Sequence, residues 1–189
     1  MRGAELGWAV GFVAWCIMAP VHAADVAGIK LAEKVTVASH ELVLNGAGVR
    51  TKVLFKVYVA SLYLPTKASE PNAVLAKTPR RIQLNLLRSV TADQLADSLN
   101  EGLQDNNTEA ELSAVKRETA ELIGIMKSFG EAKEGSVITL DFIDGSTVVG
   151  FNGANAGTVA GEPFNRAVTK IWLGDKPVQG DLKTAMLGG

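Results

Sequence analysis

Arg50 has the clearest capacity for site chemistry in this sequence. It follows Asn45-Gly46-Ala47-Gly48 and opens onto a run without breakers from Val53 to Leu64. A guanidinium keeps its proton at any physiological pH and presents a planar fork of donors, which suits a carboxylate or an enolate oxygen. The residues before it tolerate positive φ and let backbone approach closely, so a sharp reversal is expected at Asn45 to Gly48, with Arg50 where that turn feeds the next strand. A surface arginine at a strand entrance is the plainer alternative, and residue type alone leaves it open. Other chemistries are poorly supplied. Cys16 is the single cysteine and lies in an apolar N-terminal run, and His40 sits in a hairpin pattern where a turn role suits it better than that of a general base. The glycines at 150, 153, 157 and 161 lack the GK[ST] and strand-to-helix context of a phosphate loop.

The elements that must position Arg50 follow from periodicity. Val35 to Leu44 alternates on both sides of Ala38-Ser39-His40-Glu41 and reads as a hairpin. Val53 to Leu64 reads as one long strand with two apolar faces, the spine of a large sheet covered on both sides. A short helix is expected over Ser69 to Lys77, opened by Ser69 or Asn72. Ile82, Leu84 and Leu86 then mark a strand with one buried face, lying beside the spine. Two helices follow, each with a capping box, Thr91-Ala92-Asp93-Gln94 and Thr108-Glu109-Ala110-Glu111. The first carries an apolar stripe of Leu95, Leu99 and Leu103, with Asp93 and Asn100 at its margin. The second carries Leu112, Val115, Leu122, Ile123 and Met126, interrupted by Thr119. Asp144-Gly145 and Asn152-Gly153 signal two hairpins after Gly130. Phe164 to Leu173 is a helix stopped by Gly174, and Asp181 to Leu187 a terminal one. Trp172 is expected in the core.

The chain has 189 residues. Its start, Arg2 followed by an apolar run from Leu6 to Ala19 and then Pro20-Val21-His22-Ala23, reads as a secretory leader too short to span a membrane. Cleavage is expected after Ala23, with Ala24 as the second position, leaving residues 24–189 as one domain in the periplasm. Trp8, Trp15 and Cys16 leave with the leader, so Trp172 is the remaining tryptophan. The whole chain carries a formal net charge of −1, which argues against nucleic acid as a partner. The fold class read from these patterns is α+β, built on a large antiparallel sheet.

NGAGVR followed by FKVYVASLYL resembles the chalcone isomerase family, and IWLGDKPVQGDLKTAMLG resembles its secreted bacterial chalcone-isomerase-like branch. The resemblance runs from about Val35 to Gly188. It implies an open-faced β-sandwich, a large curved antiparallel sheet backed by helices with a ligand cleft between them. In the plant enzymes a phenolate attacks an enone, and an arginine after the glycine turn is central to the site. Arg50 matches it. The family's strand threonine falls on Tyr58, and the helix line of tyrosine, lysine and asparagine reads Asp93, Ala96 and Asn100. Ile171 occupies the position of a further hydroxyl residue. Losing one preorganised oxyanion donor commonly costs about 2.7 to 4 kcal/mol, so these departures argue against efficient cyclisation. Family members without activity bind fatty acids through the same arginine and a tyrosine. The resemblance therefore implies a ligand site of Arg50, Tyr58 and Asn100 for a small amphipathic carboxylate or aromatic ligand, with no catalytic residue, metal or cofactor and no stable membrane span. The alternative is an isomerase acting on a conjugated ketone, with Arg50 and Tyr58 stabilising the oxyanion.

Overall fold

The computed structural model describes residues 23–189 apart from 77–78. Nearly all of the expected leader lies outside the described residues.

Seven strands form one antiparallel sheet. In chain order they are β3 (Lys34–Val37), β4 (His40–Lys52), β5 (Phe55–Leu64), β6 (Arg80–Leu86), β9 (Val137–Ile143), β10 (Ser146–Phe151) and β11 (Ala154–Ala160). Their spatial order is β11-β10-β9-β6-β5-β4-β3. A separate hairpin, β1 (Ala23–Val26) with β2 (Ile29–Ala32), precedes them, and β7 (Val90–Thr91) pairs with β8 (Glu131–Ala132). Six helices lie among the described residues: α1 (Pro71–Leu75), α2 (Ala92–Asn106), α3 (Glu109–Ala114), α4 (Lys116–Ser128), α5 (Glu162–Leu173) and α6 (Gly180–Met186).

The register places Tyr58, Ala60 and Leu62 of β5 in line with Leu86, Leu84 and Ile82 of β6, and the last two of these with Ile138 and Leu140 of β9. Those side chains form the inner face of the sheet. The apolar stripes of α2, α4 and α5 close over it through Leu99, Leu103, Leu122, Phe164, Val168 and Ile171, all buried. The opposite face is the more open one: Gln83, Asn85, Thr139 and Val148 are only half-buried there, although Val59 and Ser61 of β5 are buried. Arg81 and Asp141 stand directly across β6 and β9 and form a two-pronged ion pair there. A small cluster of Val37, Leu42 and Tyr63 covers only the β3–β5 end. The expectation that both faces of β5 are covered therefore holds for its C-terminal half alone.

Four sequence expectations are corrected. The chain does not reverse at Asn45 to Gly48, because β4 runs straight through those residues to Lys52. It reverses at Val53-Leu54, so β5 starts at Phe55 rather than Val53. The glycines instead admit a neighbour: a Cβ on Gly46 would stand 2.1 Å from the Ala185 carbonyl oxygen, and one on Gly48 would stand 2.8 Å from Ala185 Cβ. They let α6 lie against the strand. The helix expected from Ser69 or Asn72 begins at Pro71, whose fixed φ suits the first turn, with Glu70 as its cap residue. The second capping-box helix is two helices, since buried Val115 leaves helical geometry at φ −113° and ψ 15°. Both capping boxes form as expected, on Thr91 and Thr108. The Asp144-Gly145 and Asn152-Gly153 turns form too, each residue at positive φ.

A buried polar cluster was not anticipated. Arg80 is fully buried on the inner face, donates to Thr169 Oγ1 at 2.9 and 3.1 Å and to the Asn165 carbonyl at 3.2 Å, and lies 4.6 Å from the centre of the Phe142 ring. Burial pulls its pKa down to about 10.

Candidate functional site

Arg50 and Tyr58 stand directly opposite each other on β4 and β5, so their side chains leave the same, helix-facing side of the sheet. Each is set from behind by a residue of the C-terminal segment. The Gln179 side-chain amide behaves as a strand fragment on the free edge of β4: it accepts from Thr51 N at 2.9 Å and donates to the Val49 carbonyl at 3.2 Å. It thereby satisfies edge groups that β3 is too short to reach. Arg50 Nη1 donates to the Thr51 carbonyl and, at 3.4 Å, to Gln179 Oε1. Tyr58 is held from the helix layer, where Trp172 Nε1 donates to its hydroxyl at 3.1 Å.

The electrostatics follow from those contacts. Burial pushes the Tyr58 pKa up, against the smaller opposing effects of the Trp172 hydrogen bond and the nearby Arg50 guanidinium. Tyr58 is thus a neutral phenol at physiological pH. Trp172 and Arg50 can only donate, so both approach the Tyr58 oxygen as donors and neither can take its proton. Among the described residues that O–H meets no acceptor. A group able to receive hydrogen bonds from a phenol and a guanidinium is the complement of this corner, and a carboxylate or an oxyanion is such a group.

Two neighbouring spaces share Tyr58 in their linings. The outer one, about 180 Å³, is lined by Arg50, Lys52, Glu101, Asp105 and Lys176 together with Tyr58, Ser98 and Val178. It is a charged mouth. The inner one, about 70 Å³, shares Tyr58, Ser98 and Val178 and continues among Leu84, Leu95, Leu99, Met126, Ile138, Leu140, Ile171 and Trp172. Its walls are almost wholly apolar. The cleft therefore runs from charge to hydrocarbon, with Tyr58 at the boundary and Arg50 on the charged side of it.

The structure brings together two of the three expected site residues. Asn100 lies elsewhere, in a depression on another side of α2 with Leu103, Gln104, Leu112, Lys116 and Thr119. The α2 residues that face the cleft are Leu95, Ser98, Leu99, Glu101, Gly102 and Asp105. Gly102 is required by close packing: a Cβ there would stand 2.7 Å from Ile171 Cγ2. Ile171 and Trp172 are both buried, as a core role for Trp172 requires, and both also line the inner space. Gln179 belongs to the quoted C-terminal motif but carried no sequence signal of its role.

The family model described as chalcone isomerase-like matches residues 23–188. The chain belongs to the chalcone isomerase-like family. Among solved structures it is similar to a fatty-acid binding protein of Arabidopsis thaliana, with a TM-score of 0.66 and 14% sequence identity over 85% of this chain and 92% of that one. At that identity the likeness is one of fold, the open-faced sandwich of sheet and helices described above. No curated protein matches the chain.

Proposed function

We propose that this chalcone isomerase-like protein is a non-catalytic binding or carrier protein for a small amphipathic carboxylate, anchored by Arg50 and Tyr58 with its apolar part among the α2, α4 and α5 side chains. The observation that carries this reading is the donors-only surroundings of the Tyr58 hydroxyl, at the point where the charged mouth borders the apolar space. Arg50 and Tyr58 both offer hydrogen bonds, while Trp172 occupies the Tyr58 oxygen from behind. The fatty-acid binding protein of the same fold supports the ligand class. Enclosed ligand pockets usually measure about 300 to 1,000 Å³, so a chain of more than a few carbons must push aside lining residues. Met126 and Leu95 are suited to yield, the first for its flexible thioether and the second for its partial exposure.

The test is calorimetric titration of medium- and long-chain fatty acids and of flavonoids into wild type and Arg50→Ala. Loss of the charge-assisted pair should weaken carboxylate binding by about ten- to a hundredfold. Unchanged affinity in the alanine variant would remove Arg50 from the site. An isomerase would need a general base near the same corner, and Glu101 and Asp105 at the mouth are the carboxylates placed to be tried. Arginine-dependent turnover of a chalcone by wild type would therefore replace the carrier reading. We also propose that the protein acts in the periplasm after removal of residues 1–23. The apolar run from Leu6 to Ala19 followed by Val21-His22-Ala23 is what supports that reading. Sequencing the N-terminus of exported protein tests it, and an intact Met1 there would refute it.

A further inference from the structure

The β4–β5 hairpin ends in a tip that folding alone does not explain. Val53, Leu54 and Phe55 are 86%, 88% and 63% exposed. Val53 has φ 59°, a left-handed conformation that β-branched residues disfavour. Of the four other tight hairpins among the described residues, three meet the same geometric need with a glycine at positive φ, in Ala27-Gly28, Asp144-Gly145 and Asn152-Gly153, and the fourth uses the small pair Ala38-Ser39. At the β4–β5 turn the sequence has instead placed two large apolar residues where a polar, glycine-containing pair would be both more soluble and less strained. Cations surround them. Lys52 and Lys56 flank the tip, both exposed, and the Arg88 guanidinium lies 5.2 Å from the centre of the Phe55 ring.

We propose that this tip docks the protein on an anionic lipid bilayer, with Val53, Leu54 and Phe55 entering the interface and Lys52, Lys56 and Arg88 meeting the headgroups. An apolar wedge ringed by cations is the arrangement that combines hydrophobic insertion with attraction to acidic lipid. The patch fits a bilayer better than a protein. A stable protein interface takes about 800 Å² from each partner, and one tight turn with a flanking aromatic supplies only a fraction of that. Among the described residues no helix is long and apolar enough to cross a membrane, so the contact would be peripheral. Docking would also place the cleft at the lipid surface, because Lys52 and Val57, on either side of the tip, line its mouth. The proposal does not depend on what the cleft carries.

The full chain with Cys16→Ser, which removes its one thiol, can be labelled with an environment-sensitive fluorophore at Leu54→Cys, or as a control at Ser39→Cys. Ser39 is exposed and precedes the opposite end of β4, thirteen residues long. Both proteins share one N-terminus, so any adsorption through that segment affects them alike. With vesicles of phosphatidylglycerol and phosphatidylethanolamine, the label at 54 should shift to the blue and be quenched by spin-labelled acyl chains, while the label at 39 should not. Neutral phosphatidylcholine vesicles, or Lys56→Glu, should weaken the response about tenfold or more. In the unlabelled protein, Leu54→Asp with Phe55→Asp should weaken vesicle binding by at least tenfold, which excludes the dye as the cause. Equal quenching at both positions would overturn the proposal, as would equal response to neutral and anionic vesicles. So would a label at 54 that stays in water with lipid, including one that becomes shielded only as protein concentration rises, the sign of a second copy as the occupant.

Discussion

Replacing Tyr58 by Phe removes one oxygen and keeps the ring, so it tests the hydroxyl without opening a cavity. Two effects of different kinds should follow. The ligand loses a hydrogen bond to a charged group, worth about 1.5 to 3 kcal/mol, or a fall in carboxylate affinity of roughly ten- to a hundredfold. The free protein also loses the acceptor of Trp172 Nε1–H, which now donates at 3.1 Å from a residue that is 6% exposed. Leaving such a donor without a partner costs about 1 to 3 kcal/mol. For a domain of this size that corresponds to a melting temperature lower by roughly 2 to 12 °C. The double variant Tyr58→Phe/Trp172→Phe separates the effects. It has no orphaned indole N–H, so its stability loss should be smaller than the sum of the two single losses. Its affinity should stay as low as that of Tyr58→Phe. Calorimetry with a fatty acid and melting curves on the four proteins supply both readouts. If Tyr58→Phe melts lower but binds as wild type does, the hydroxyl is only the acceptor for Trp172 and the donors-only reasoning fails.

Gly46→Ala should destabilise the fold by about 2 to 4 kcal/mol in denaturant titrations. Its methyl would meet the Ala185 carbonyl at 2.1 Å and dislodge the Asn45 Nδ2 to Met186 carbonyl bond, now 2.8 Å. Gly124→Ala, in exposed helix with nothing within 4 Å of the new Cβ, should have the opposite sign and stabilise by up to about 1 kcal/mol. Glu111 has its pKa held down at about 2 by the Lys170 hydrogen bond and then by its bonds to Thr108. A depressed carboxylate stabilises the fold above its unfolded pKa, near 4.5, and that contribution fades as pH falls from there towards 2. Its side chain is 43% exposed, so the effect should be only about 0.5 to 1 kcal/mol. The stability gap between wild type and Glu111→Gln should accordingly be present at pH 7 and close by pH 2, and a gap independent of pH would refute the assignment.

What was legible in the sequence was whatever is fixed locally. The capping boxes, the Asp-Gly and Asn-Gly turns and the alternation of Ile82, Leu84 and Leu86 each depend on residues within a few positions, and each appears where the pattern put it. The β4–β5 reversal was misplaced for the same reason: Val53-Leu54 carries no turn signal, whereas Asn45 to Gly48 carries several. Those glycines answer to α6, some 140 residues on, and no local pattern records a partner that far away. Arg80 and Arg81 look alike as neighbours in sequence. Strand alternation sends one fully into the core and the other to an ion pair on the open face. The charge alone cannot show which is which until the inner face is known. Asn100 was placed by resemblance, and the helix turns it away from the cleft.

The two stretches that carried the resemblance are one mechanical unit. Without Cβ atoms, Gly46 and Gly48 let α6 approach β4, and Asn45 fastens that contact by donating to the Met186 carbonyl while its Oδ1 accepts from Ala68 N. At the other end, Gln179 occupies the strand edge on both sides of Arg50, at Val49 and Thr51, and accepts from Arg50 itself. The guanidinium is therefore aimed by a residue 129 positions away rather than by the turn expected before it. Trp172 does for Tyr58 what Gln179 does for Arg50, from the same C-terminal segment. Moving α6 and the loop before it would release Gln179 from Arg50 and widen the mouth at Lys176 and Val178. A variant that loosens α6, such as Gly46→Ala, should thus weaken ligand binding even in the fraction that remains folded, although Gly46 lines neither space of the cleft.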